Sequence, residues 1–90
     1  MQTDQVYIMI KYLAGIREKT GVQEERVSFP SRSTLNDVAD WVLNRYGLTV
    51  PNPRLMAILN GRGWGQYPEK LSTELKEGDT ICLFPPISGG

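Results

Sequence analysis

The chain has 90 residues, ten Lys and Arg against ten Asp and Glu, one cysteine and no histidine. That length sets one small domain, and a hydrophobic content of 40% is enough for one compact core and argues against disorder. Zero formal net charge gives no global pull toward nucleic acid or anionic lipid, and a single cysteine excludes an internal disulfide. Without histidine, neither a zinc site nor a His-based triad can be assembled from this chain alone, so no metal site is expected. The apolar runs are far shorter than a membrane span, and the first five residues lack the basic and apolar regions of a signal peptide. A cytoplasmic domain that works through a partner is the expectation.

Val6 to Leu13 reads as a strand, with Val6, Ile8, Ile10 and Tyr12 alternating against a set that contains Lys11. The first set is expected to face the core. Ala14 to Gly21 is a turn or short helical loop, and Val22 to Phe29 a more polar second strand near a sheet edge. Thr34 can cap a helix, with Asp37 three residues on in a near capping box. Leu35, Val38, Ala39, Val42, Leu43 and Tyr46 then recur at helical spacing as one face, Trp41 caps the edge of the core, and Gly47 suits the end. Leu55 to Leu59 is a third strand, followed by the hairpin signal Asn60-Gly61. Leu71 to Leu75 is expected as a helical turn, and Lys76-Glu77-Gly78-Asp79 as a turn. Thr80 to Phe84 is the last strand, Ile81 and Leu83 inward, Cys82 and Phe84 outward. The first and last strands, the most apolar, are placed at the centre. The fold class is α+β, a mixed sheet packed against one main helix.

Residues 1–84 form the domain in this reading, and 85–90 a flexible tail, Pro85-Pro86-Ile87-Ser88-Gly89-Gly90. The prolines hold the backbone extended and cannot join a ladder. From Phe84 to Gly90 the reach is about 20 Å. The residues leave two readings open: an ordinary frayed terminus, or a tail shaped to thread a narrow channel and present the Gly90 carboxylate.

Phe84-Pro85-Pro86-Ile87-Ser88-Gly89-Gly90 closely resembles the terminal segment of the MoaD family, the small subunit of molybdopterin synthase. Ala14-Gly15-Ile16-Arg17-Glu18, Asn60, and Leu71 followed by Lys76-Glu77-Gly78-Asp79-Thr80-Ile81 resemble further family motifs. The Asn60–Gly65 hairpin departs from the shorter form of many members. The resemblance implies a ubiquitin-like β-grasp fold and a sulfur carrier. An E1-like, MoeB-like adenylyltransferase would use MgATP to adenylate Gly90, and sulfur attack would leave a thiocarboxylate. The tail would then enter a MoaE-like large subunit, in a heterotetramer, and pass sulfur to cyclic pyranopterin monophosphate. No cofactor bound by the chain itself is implied. Alternatives in the same superfamily are a protein modifier joined through Gly90 and a sulfur carrier for thiamine, cysteine or tRNA thiolation. A plain interaction domain with an inert tail is a further alternative.

Leu13 and Phe84 fall on the non-core side of their strands and are expected to form one exposed docking patch at the base of the tail. Trp64, on the hairpin, is expected to extend it. Lys11 and Arg17 read first as solvated charges, and second as residues that steer the activating partner. Cys82 reads as a small packing residue rather than a thiol relay. Gly61, Gly63 and Gly65 lack the spacing of a phosphate loop and open no helix.

Overall fold

A computed structural model describes residues 4–86. Its elements are β1 (Gln5–Tyr12), α1 (Gly15–Thr20), β2 (Glu24–Pro30), α2 (Leu35–Tyr46), β3 (Met56–Leu59), β4 (Arg62–Gly63) and β5 (Thr80–Phe84). Two short 3-10 turns, Trp64–Gln66 and Lys70–Ser72, lie between β4 and β5. The strands form one sheet in the order β2-β1-β5-β3-β4. β1 and β5 run parallel, and the remaining neighbours are antiparallel. The two most apolar strands therefore are central and β2 is an edge, as their composition predicts.

Alternation along β1 sends Ile8, Ile10 and Tyr12 into the core, and the same alternation along β5 sends Ile81 and Leu83 to meet them. Val6, the outermost of the expected core set, is only half-buried. α2 lays Leu35, Val38 and Val42 across this face, all three fully buried. Its start is fixed by Asp37, whose carboxylate accepts the Thr34 N–H at 2.8 Å, and its end by Gly47 at φ 71°. Trp41 closes the margin of the core edge-on to Phe29, with ring centroids 6.3 Å apart. Leu43 does not join this face: it is 46% exposed. At 3.6 residues per turn it stands about 90° from the centre of the buried stripe.

The corner where β3 turns into β4 carries a polar lock. Asn60 and Gly61 both have positive φ, as a two-residue hairpin turn requires. The Asn60 side chain accepts the Thr80 N–H at 2.9 Å and donates to Asp79 at 3.0 Å. The other Asp79 oxygen accepts the Lys76 N–H at 2.8 Å. Asp79 is 8% exposed, and both carboxylate oxygens are satisfied, so its burial is stable. Asn60 and the Lys76–Asp79 turn thus brace the end of the sheet opposite the tail. Among the described residues, no helix is long and apolar enough to cross a membrane.

Candidate functional site

The described chain leaves the sheet at Phe84, where Pro85 and Pro86, lacking N–H groups, end the ladder. What surrounds that exit follows from register. β1 pairs with β5 through Tyr12↔Leu83, and the Leu13 N–H continues the pairing by donating to the Leu83 carbonyl at 3.0 Å. Leu13 therefore lies beside the root of the tail, 43% exposed. On the other flank Phe84 sits opposite Met56 of β3, itself 42% exposed. Phe84 is half-buried between them, Pro85 is half-buried and Pro86 exposed. Leu13 and Phe84 do come together, as alternation suggested.

Met56 completes the patch and was not identifiable from sequence. It alternates correctly within its own strand, but only the long-range β3–β5 register puts it next to Phe84. Behind this apolar group the same face continues as Lys11, Cys82 and Ile58, aligned across β1, β5 and β3. Cys82 is half-buried there and points away from the core, with Lys11 and Ile58 as its cross-strand neighbours. Toward β2 the face becomes polar. A groove of about 470 Å³ is lined there by Tyr7, Met9, Lys11, Glu24, Arg26 and Glu77, with Arg26 stacked 4.4 Å over the Tyr7 ring. The open face is thus apolar around the tail and charged away from it.

Arg17 is exposed on α1, which touches both β1 and β5 near the patch. α1 follows directly on Leu13 because Ala14 turns the chain at φ 51° and its carbonyl accepts the Arg17 N–H at 3.0 Å. Trp64 requires a correction: it is 2% exposed and belongs to the core, not to an exposed patch. β4 is only two residues long, and the 3-10 turn beginning at Trp64 folds the indole back against the domain. Ile87, Ser88, Gly89 and Gly90 lie outside the described residues. Among the described residues, no cluster of three or more His, Cys, Asp or Glu has the arrangement of a metal site. The arrangement is an exposed apolar group of Leu13, Phe84 and Met56 where the described chain leaves the sheet, with charged groups at its margin.

Comparison with known proteins places this geometry. The ThiS family pattern matches residues 10–90. The chain is 30% identical over 87 residues to the molybdopterin synthase sulfur carrier subunit of Drosophila erecta, covering 94% of this chain and 92% of that protein. Its fold is similar to that of small archaeal modifier protein 1 from Methanosarcina acetivorans, with a TM-score of 0.75 and 24% identity over 96% of this chain and 98% of the other. It is also similar to a chain in the complex of subunits 1 and 2 of the molybdopterin-converting factor from Helicobacter pylori, with a TM-score of 0.63 and 24% identity over 94% of this chain and 100% of the other. The five-stranded mixed sheet with one main helix is the ubiquitin-like β-grasp. A pattern matched over nearly the whole length, on this fold, means that the chain belongs to the ThiS/MoaD family.

Proposed function

We propose that this protein is a sulfur carrier for molybdopterin synthesis and that its chemistry takes place on the carboxylate of Gly90. The observation that carries the reading is the full-length likeness to a molybdopterin synthase sulfur carrier subunit. An activating partner using MgATP transfers AMP to the Gly90 carboxylate and releases pyrophosphate. Sulfur then attacks the acyl carbon of this mixed anhydride, AMP leaves, and a thiocarboxylate remains. Delivered to cyclic pyranopterin monophosphate, two such sulfurs build the dithiolene. The domain's own part is recognition. Leu13, Phe84 and Met56 supply an apolar anchor at the tail root, and Lys11 and Arg17 supply charge near its margin. Pro85 and Pro86 stiffen the departing chain, and Ile87, Ser88 and Gly89 are narrow enough for a confined channel. The partners in this reading are an E1-like adenylyltransferase and a large subunit that accepts the tail.

Intact-mass spectrometry tests it. Incubated with the activating enzyme, MgATP and a sulfur donor, the chain should exchange one terminal oxygen for sulfur. Removing Gly90, or adding one residue after it, should abolish the exchange while the far-UV circular dichroism stays unchanged. Sulfur transfer by the extended variant would overturn the role given to the carboxylate. Lysine-linked adducts in place of the thiocarboxylate would assign the chain to protein modification instead.

A further inference from the structure

The two edges of the sheet are built differently. β2 carries Glu24, Glu25 and Arg26 and ends at Pro30. Charges and proline of this kind keep an edge from pairing with foreign strands. The opposite edge lacks them beyond the hairpin tip. β4 offers only Arg62 and Gly63, and its ladder with β3 stops at Ile58↔Gly63. The chain then departs at Trp64, whose carbonyl accepts the Tyr67 N–H at 3.3 Å. Ala57 extends β3 past this point, between Leu55, which is bridged to Asn52, and the Ile58↔Gly63 pair, and among the described residues no strand lies opposite it on that side. Leu59 and Arg62 close the two-residue turn, so Leu59 directs its N–H and C=O toward β4. By strand alternation Ala57 directs its own toward the same side.

Along this edge runs a groove of about 380 Å³, lined by Pro51, Leu55, Met56, Ala57, Trp64 and Gly65 among others, with no charged residue in its walls. Trp64 is part of that wall, and its buried Nε1 has no acceptor among the described residues. Met56 belongs both to the groove and to the patch at the tail root.

We propose that this groove is a strand-addition site. An extended segment of the large subunit pairs with β3 at Ala57 and lays an apolar side chain against Trp64. The inference rests on the sulfur-carrier reading, which brings a tail-accepting partner onto the patch that Met56 shares. An extended occupant is favoured because what the edge offers is backbone, and the uncharged lining suits an apolar residue.

The test uses the full-length chain with its cognate large subunit. Amide hydrogen exchange at Ala57 should slow by about tenfold or more in the complex. Gly65→Glu places a charge in the groove at little cost to the fold, because an added Cβ there meets nothing within 4 Å and the backbone is outside the left-handed region. Gly63→Glu is the second variant, its Cβ meeting only the Gln66 side chain at 3.8 Å. Each should weaken large-subunit binding by about tenfold or more, the cost of a charge buried without a partner in an interface, and leave the melting temperature unchanged. A complex that forms with Ala57 exchange unaltered, or variants that bind like the wild type, would overturn strand addition and leave the sulfur-carrier reading standing. Protection of Ala57 already in the free chain, released on removing residues 87–90, would give the groove to the chain's own tail and overturn the proposal. Self-association abolished by Gly65→Glu would give it to a second copy, with the same consequence. Failure of the wild-type chain to bind the large subunit at all would count against the sulfur-carrier reading itself.

Discussion

β1 and β5 lie side by side, and each presents two unlike surfaces. On one side Ile8, Ile10, Tyr12, Ile81 and Leu83 are at most 1% exposed and meet α2. On the other, Lys11, Cys82, Leu13 and Phe84 stay partly in solvent, joined at the tail root by Met56. One alternation generates both surfaces, but they answer to different requirements. The buried side is held by packing, where each lost methylene is felt. The open side gains little stability from its apolar groups and keeps them partly in solvent, and in the proposed reading it serves a partner. Stability and recognition are therefore separable by moving one residue along the strand.

The sharpest way to break this separation is to cut on the buried side. Leu83→Ala should cost about 2–5 kcal/mol of stability, read as a lowered urea midpoint. The loss would reach the tail only through unfolding, so activation of Gly90 per folded molecule should be unchanged. The next largest effect is on the open side. Leu13→Asp should weaken binding of both partners by about thirtyfold, the size of an interface hot spot, while the unfolding free energy stays within about 0.5 kcal/mol of wild type. A Leu13→Asp chain that unfolds readily but binds normally would make Leu13 a packing residue and collapse the distinction.

Much of this division is legible in the residues. The run Val6 to Leu13 declares its two faces by placing Lys11 among its outward positions, and Pro85-Pro86 declares the end of the ladder after Phe84. Asn60-Gly61 declares its turn, and the structure adds why Asn is useful there: its side chain also satisfies Asp79. What was not legible depended on distant partners. Met56 becomes a neighbour of Phe84 only through a register that brings together residues far apart in the chain. Trp64 sits among glycines that suggest an exposed loop, yet a 3-10 turn after a two-residue strand carries it inward. Leu43 has helical spacing but lies just past the margin of the stripe that the sheet covers.

The smallest effect concerns how the buried side holds a polar group. Tyr12 is fully buried, yet its hydroxyl donates to the Glu25 carboxylate at 2.5 Å, and the Tyr46 hydroxyl donates to the same oxygen at 2.6 Å. The bond ties β1 to β2 and the pair of tyrosines ties both to the end of α2. Burial first, and then the neighbouring Glu25 carboxylate, pushes the Tyr12 hydroxyl well above the usual tyrosine range. The folded chain therefore keeps this proton where the unfolded chain gives it up. Its stabilising contribution is complete below about pH 10, the unfolded value, and is lost as the pH rises from there toward the folded value. Tyr12→Phe should cost about 1 kcal/mol at pH 8, the worth of one hydrogen bond. Above pH 10 the wild type should lose about 1.4 kcal/mol per pH unit through this residue, a slope the variant lacks, so the two stabilities should converge near pH 11. Urea titrations from pH 8 to 11 read that convergence. A gap that stays constant across the range would mean that Tyr12 ionises as readily in the folded chain as in the unfolded one, and that the core side of β1 is wetter than its packing indicates.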